Sequence, residues 1–416
     1  MDERRRIARL HRRVGLGLLG GELDAAVGRG VAAEVARLAD PDAAGVAPAA
    51  DPFDGLDLSF EQGAVRQKNR SAVEAWMTAM AQSGWPVADR FTWFWHGLLV
   101  SSIGKVKAPD AMANQIRLFR RATNFGELIA DLSIDPAMLT YLDGKDSVKG
   151  SPNENYGREL LELFTLGVGH FTEADVVATA TALTGWVVAV RAGGNAVLRP
   201  KLHDSTPQTL LGRTGVNDVA GVVAAVLAHP ECAAFVARQY LVATVGPAVD
   251  EPTVNTLAAS FRASGFSLAV LTRGALDLIA SGVDGGPVIL GPVPWLVLAE
   301  RATGARLSAQ ARLLGLEAAG QVPFAPPNVG GWAEGGAWFA SAVMVGRLNL
   351  ALAVAKATPP SSPAMQAVMR GDWGALSVAL GLPDDLGPTT TAGLGQVRDS
   401  FSRLALALVS PEFVEA

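Results

Sequence analysis

Apolar residues recur with helical spacing through most of this chain. They fall every three or four positions, which is typical of helices with one buried face. Asp135 and Pro136 carry the signature of a helix start, and Thr172 with Asp175 forms a capping-box pattern. The pattern predicts a mainly α-helical globular protein of about a dozen helices. The segments with this spacing are 22–40, 69–84, 86–102, 110–135, 135–144, 153–167, 171–186 and 217–246.

One stretch departs from the helical pattern. Residues 186–201 hold two short β-favouring runs around Ala-Gly-Gly-Asn, which predicts a small β-hairpin. The sequence contains no internal repeat, and we expect one domain over 1–416 with a soft sub-domain boundary near 281–292, where glycine and proline accumulate.

Composition removes several function classes. Of 416 residues, 49% are hydrophobic and 18% charged, with a net charge of −5, so no basic surface for nucleic acid is expected. Cys232 is the single cysteine, which excludes an internal disulfide framework and a cysteine-rich metal site. No apolar run reaches the length of about 18 residues that a membrane span requires, so we expect a cytoplasmic protein. A basic N-terminal helix that lies on a membrane surface is the alternative for residues 1–17.

The helix NENYGRELLELFTLG, at 153–167, carries a polar stripe among its leucines. On a regular helix Asn155, Glu159, Glu162 and Leu166 fall within about 40° of each other, with Arg158 beside them. Two sheltered carboxylates one turn apart raise each other's pKa or hold a cation between them. The other interpretation is a solvated pair that is neutralised by basic neighbours.

Three further groups could meet this stripe. His203 and Asp204 lie in an irregular loop after the hairpin, a common setting for functional residues, although Asp204 could equally form an Asx-turn. His96 stands among tryptophans, where it is either a ligand or a hydrogen-bonded core residue. The turn PPNVGGWAEGGAW contains Asn328 and Trp332, and Trp332 could stack on a ligand or fill the core.

These segments together resemble a bacterial family catalogued as domain of unknown function 1800. The matching motifs occur in the family's order and extend from near the start of the chain to its end. The central block is the most specific of them. The motifs are RLHRRVGLG, FWHGLLVSSIGKV, DPAMLTYLDGKDSVKGSPNENYGRELLELFTLGVGHFTEADV, ALTGW, HDSTPQTLLG, PPNVGGWAEGGAW and LVSPEF.

The chain also departs from the pattern of that family. Where the family usually has a second histidine, a lysine, a proline and a glutamate, this chain has Leu98, Gln208, Ala333 and Pro294. The resemblance further implies a potential partner, because members are commonly encoded beside a second family, domain of unknown function 1501, whose proteins resemble phosphatases and sulfatases.

We therefore expect an enzyme, or a subunit of an enzyme complex, with an acid–base or metal site. Glu159, Glu162 and His203 are the candidate ligands of a divalent metal. The alternative is a non-catalytic scaffold that binds a partner of the phosphatase-like family. The expected catalytic residues are Glu159, Glu162, His96, His203 and Asp204, and the expected substrate-binding residues are Asn155, Arg158, Asn328 and Trp332.

Overall fold

Helices dominate the architecture, and the strands form two small hairpins. The computed structural model describes residues 1–40, 42, 45, 50–189 and 193–416. One continuous cluster of buried side chains runs from Leu10 to Ala416 and packs the helices together. The predicted fold class is confirmed.

The elements follow one another along the chain with short connections. In the first third they are α1 Glu3–Arg9, α2 Leu23–Arg29, α3 Val31–Ala39, α4 Val65–Gln82, α5 Pro86–Leu98, α6 Ile103–Val106, α7 Pro109–Arg121, α8 Phe125–Ser133 and α9 Pro136–Tyr141. In the middle they are α10 Glu154–Glu159, α11 Glu173–Ala182, β1 Trp186–Val187, β2 Val197–Leu198, β3 Gln208–Leu210, β4 Arg213–Val216, α12 Val219–Ala228, α13 Pro230–Thr244, α14 Glu251–Ala263 and α15 Leu268–Ser281. In the last third they are α16 Pro292–Thr303, α17 Ala309–Ala319, α18 Ser341–Ala357, α19 Pro363–Arg370, α20 Trp373–Ala379, α21 Pro388–Gln396, α22 Ser400–Leu408 and α23 Pro411–Val414.

Side-chain caps start several of these helices as predicted. Asp135 accepts a hydrogen bond from the Met138 amide at 2.8 Å, and Pro136 occupies the first turn of α9. Thr172 and Asp175 form a complete capping box at the start of α11.

Glycine interrupts one segment that the pattern predicts as helical. Residues 22–40 form α2 and α3, which are separated at Gly30 with φ 84°. This left-handed backbone favours glycine and ends a helix, so the helical segment is divided in two at this position.

The predicted hairpin at 186–201 is present as β1 paired with β2, with Trp186 opposite Leu198. Part of its predicted turn, residues 190–192, lies outside the described residues. A second antiparallel pair, β3 with β4, follows directly. The sequence reasoning missed this second hairpin, whose turn has Leu211 and Gly212 at positive φ.

The N-terminal segment turns its arginines inward. A π-helix over Leu10–Val14 continues α1, and both Arg12 and Arg13 are buried. Arg12 donates to the Phe413 carbonyl at 2.7 Å, and Arg13 donates to the Ala416 carbonyl at 2.6 Å. These two cations bind the far end of the chain and are therefore withheld from the basic surface that the membrane alternative requires.

Within the described residues no single helix is both long and apolar enough to cross a bilayer. The consecutive pair α12 and α13 reaches that length and composition only when taken together, and the two helices are bent by 80° at their junction.

Candidate functional site

The helix that carries the polar stripe changes its winding halfway along. After α10 ends at Glu159, the chain continues as a π-helix over Leu160–Thr165. The Leu166 amide donates to the Leu161 carbonyl at 2.9 Å, which is the five-residue step of a π-turn. Leu166 is fully buried, so the prediction that it shares the face of the two half-buried carboxylates is wrong.

Glu159 and Glu162 lie half-buried beside each other on this helix. Burial raises the pKa of Glu159, the charge of Glu162 raises it further, and Arg158 opposes both effects. Among the described residues, neither carboxylate forms a hydrogen bond or an ion pair with another side chain. The pair therefore retains its capacity to accept a proton or a cation.

Two of the four predicted substrate-binding residues, Arg158 and Asn155, form hydrogen bonds with other parts of the fold. Both terminal nitrogens of Arg158 donate to the Glu173 carboxylate, at 2.8 and 2.5 Å, and this hydrogen-bonded pair raises the pKa of Arg158. The side-chain amide of Asn155 donates to the Leu142 carbonyl at 3.4 Å. These contacts fasten α10 to α11 and to the end of α9.

Backbone hydrogen bonds place the His203 loop against the segment that leads into α10. The Ser147 hydroxyl accepts from the Asn153 amide at 3.0 Å, and the Ser147 carbonyl accepts from the Gly185 amide at 2.9 Å. The Lys149 amide donates to the Leu202 carbonyl at 2.7 Å. Two of the predicted site segments therefore meet, although no hydrogen bond within the described chain joins His203 to the carboxylates of the stripe.

The ring of His203 is held in one orientation. Nδ1 lies 2.9 Å from the Thr184 carbonyl oxygen. A carbonyl only accepts, so Nδ1 carries the proton and donates it, which leaves Nε2 with its lone pair in the neutral ring. Nε2 has no hydrogen-bond partner in the described part of the chain, and the side chain is only half-buried.

Thr184 and Gly185 form the contacts that hold His203 and its loop in place. The Thr184 hydroxyl donates to the Thr181 carbonyl at 2.8 Å and accepts from the Asp204 amide at 2.8 Å. Gly185 has φ +87°, and a Cβ there would lie 2.7 Å from the backbone nitrogen of His203. Sequence reasoning did not assign these residues a role, although the motif ALTGW contains both.

Exposed basic side chains surround the same loop. Lys149, Arg199 and Lys201 are exposed, and none forms an ion pair with a carboxylate that the structure describes. The Arg199 carbonyl accepts from the His203 amide at 3.1 Å, so these residues belong to the same turn. Three exposed cations and the carboxylate of Asp204, whose pKa is lowered in part by the charge of Lys149, therefore belong to this part of the surface.

Asp204 faces its own loop. Its Oδ1 accepts from the Thr206 hydroxyl at 2.6 Å and the Thr206 amide at 3.1 Å, and these bonds lower the pKa of Asp204. The Nε2 amide of Gln208 closes the turn by donating to the Thr206 carbonyl at 2.9 Å. The orientation of His203 is set by Thr184, and Asp204 shapes the loop beside it.

His96 occupies a different part of the molecule. It is fully buried, its Nε2 accepts from the Phe324 amide at 3.0 Å, and burial lowers the pKa of His96 to about 3. The rings of Trp76, Trp93 and Trp332 lie 5.2–5.7 Å from the imidazole. A neutral imidazole in this setting is a packing group, and no bond of the described chain links it to the stripe.

The glycine-rich turn packs onto this aromatic cluster. Trp332 is 9% exposed and stacks on Trp93 with 5.0 Å between ring centroids. Asn328 is exposed, and its side-chain oxygen accepts from the Gly330 amide at 2.9 Å. The structure thus brings Trp332 to His96 and fixes Asn328 within its own turn.

Within the described residues no group of three or more histidine, cysteine, aspartate or glutamate side chains converges as a metal-ion site would require. The candidate ligands Glu159, Glu162 and His203 consequently do not form one such group.

The fold defines a class: a large mainly α-helical protein with two small antiparallel hairpins in the described part of the chain. The chain belongs to the DUF1800 family of proteins of unknown function, whose model matches residues 9–415. No curated protein and no solved structure matches the chain.

Proposed function

We propose that this protein is an enzyme, or a subunit of an enzyme complex, in which His203 transfers a proton to or from an anionic substrate. The observation that carries the proposal is the hydrogen bond from Nδ1 to the Thr184 carbonyl. A histidine held through one nitrogen presents the other to solvent in a fixed direction, as general bases and metal ligands do.

Proton transfer is the favoured role of this nitrogen. In the neutral ring Nε2 takes a proton from a bound hydroxyl or water, and the resulting imidazolium returns it to the product. Metal binding is less well supported, because His203 joins no group of three potential ligands in the described chain.

The surrounding charge supports an anionic substrate. Lys149, Arg199 and Lys201 are exposed and form no ion pair with a described carboxylate, so they are available to an anion beside the carboxylate of Asp204. In this proposal Glu159 and Glu162 form a separate pair of carboxylates. Glu159 accepts a proton more readily than an exposed glutamate, because burial and the charge of Glu162 raise its pKa.

The test compares two substitutions of His203, each of which replaces the ring by an amide that lies near the position of one ring nitrogen. His203→Asn keeps an amide N–H near the position of Nδ1 and removes Nε2, whereas His203→Gln places its amide near Nε2. Turnover of a panel of phosphate, sulfate and carboxylate esters is followed by mass spectrometry, with melting temperature as the measure of folding.

We expect His203→Asn to fold normally and to lose turnover by about two orders of magnitude or more, the usual effect of removing a general base. Normal turnover by a folded His203→Asn protein contradicts the proposal. Stoichiometric metal in the native protein that disappears in the variant would instead identify Nε2 as a ligand.

An exposed apolar face on α18 favours a second function, that of a scaffold. Val345 is 61% exposed and Leu348 is 37% exposed on the same side of the helix, and Phe339 just before it is 41% exposed. Clustered apolar side chains on a surface mark protein interaction sites. The proposed partner is a phosphatase-like protein of the DUF1501 type.

Co-purification with that partner tests the scaffold function. Leu348→Glu should abolish a stable heteromer, whereas Met369→Glu, which changes an equally apolar residue that is 58% exposed on α19, should leave it intact. Equal effects of the two substitutions would remove α18 from consideration.

A further inference from the structure

A cavity lies away from His203, beside the start of α4. It encloses about 300 Å³ and is lined by Phe60, Gln62, Gly63, Val65 and Lys107. This volume is at the lower end of the range for small-molecule sites, about 300–1,000 Å³. The lining combines an aromatic ring and a branched apolar side chain with one amide and one ammonium group, and it contains no acid.

Lys107 has a left-handed backbone conformation, which is energetically unfavourable for a residue with a side chain. It caps α6 with φ 53° and ψ 26°, and its amide donates to the Ile103 carbonyl at 3.0 Å. Glycine is the residue that adopts this left-handed cap without strain. A lysine at such a position costs stability, and this points to a use for the ammonium group.

The charge of Lys107 is not compensated by its neighbours. No carboxylate in the described ranges forms an ion pair with it. Asp57 and Glu61, on the segment that leads to the cavity, are paired with Lys68 at 2.9 and 3.3 Å, and Asp110 forms no ion pair with Lys107. Among the described residues that line the cavity, Lys107 is thus the single charged group, beside apolar and amide-bearing neighbours.

We propose that this cavity binds a small aromatic or unsaturated monocarboxylate. The ammonium group of Lys107 pairs with the carboxylate, the Gln62 amide forms a further hydrogen bond, and the apolar part of the ligand packs on Phe60 and Val65. One cation matches one negative charge, which favours a carboxylate over a doubly charged phosphate.

Benzoate is the probe, with benzamide as its uncharged counterpart and inorganic phosphate as the alternative anion. Binding is measured by ligand-observed NMR and calorimetry on the full chain and on Lys107→Gly. The matched control is Lys105→Gln, which removes a neighbouring lysine that already pairs with Asp143 at 2.7 Å.

We expect benzoate to bind better than benzamide and phosphate, and Lys107→Gly to weaken binding about tenfold or more, since hydrogen bonds between charged groups are the strong ones. The melting temperature of Lys107→Gly should equal or exceed that of the native chain, because glycine relieves the left-handed cap. Lys105→Gln and His203→Asn should leave binding unchanged, which separates this site from the proposed reaction.

Three results would overturn the inference. Benzoate that does not bind the native chain removes the site, and equal binding of benzoate and benzamide removes the role of charge. A lower melting temperature of Lys107→Gly with unaltered benzoate binding would show that Lys107 serves the fold alone.

Discussion

Asp135 gives the sharpest prediction about stability, because it is a carboxylate buried in the core. It is 6% exposed and accepts hydrogen bonds from the Met138 amide and the Gln115 side chain, each at 2.8 Å. Burial raises the pKa of Asp135 to about 7, and these hydrogen bonds only partly oppose the effect. Substitution by asparagine keeps the capping oxygen and removes the charge.

The sign follows from where the proton sits in each state. Between about pH 3.8 and 7 the unfolded chain has lost the proton that the folded chain keeps, so raising the pH lowers the free energy of unfolding. A pKa of about 7 in place of 3.8 corresponds to about 4 kcal/mol above pH 7, at about 1.4 kcal/mol for each pH unit. The new buried NH₂ of asparagine costs about 1–2 kcal/mol, which leaves a net gain of about 2–3 kcal/mol.

The assay is urea unfolding of the native chain and Asp135→Asn from pH 5 to pH 9. The variant should be the more stable protein above pH 7, and its advantage should shrink toward pH 5. Asp250→Asn is the control, because Asp250 also caps a helix but lies in solvent, where its hydrogen bonds with Thr253 lower its pKa. A difference between the native chain and Asp135→Asn that stays constant across this pH range would refute the reasoning.

Two further substitutions test the described geometry. Gly185→Ala should destabilise the protein by about 2 kcal/mol or more, since it adds a clash with His203 to a left-handed backbone, whereas Gly150→Ala adds only the backbone strain; thermal unfolding compares them. Burial opposes ionisation of Glu34, but hydrogen bonds from His11 and Arg29 outweigh it and lower the pKa of Glu34 to about 2. Its stabilisation is therefore present above about pH 4.5 and lost as the pH falls toward 2, and acid unfolding of Glu34→Gln should lack this dependence while costing about 3 kcal/mol at pH 7.

Local chemistry made much of the fold predictable. The caps at Asp135 and Thr172 depend on neighbouring residues alone, and each occurs at the predicted position. The hairpin of β3 and β4 was missed, because its strands are short and the residue at one positive-φ turn position is Leu211. The π-turn after Glu159 was also missed, since a regular 3.6-residue period cannot represent an inserted residue.

The site was less predictable than the fold, because which side chains meet in space depends on contacts between residues that are distant in sequence. Residue types and spacing singled out His203, Glu159 and Glu162 as candidates, and their roles stay predictions. The orientation of His203 depends on the carbonyl of Thr184, 19 positions away, and a backbone carbonyl leaves no trace in the sequence. Likewise, the partner that fixes Arg158 is Glu173 on another helix, whose charge alone does not reveal the pairing.

The inward arginines of the N-terminal segment bear on how the chain matures during synthesis. Arg12 reaches its carbonyl acceptors at Phe413 and Glu415, which leave the ribosome about four hundred residues later. Arg13 donates to the carbonyls of Val245, Gly286 and Ala416, so its set of acceptors is also completed only there. Until then two guanidinium groups destined for the interior must remain hydrated, so the first helices cannot dock in their final positions. The native packing of the earliest segment therefore waits for translation to reach the last helix.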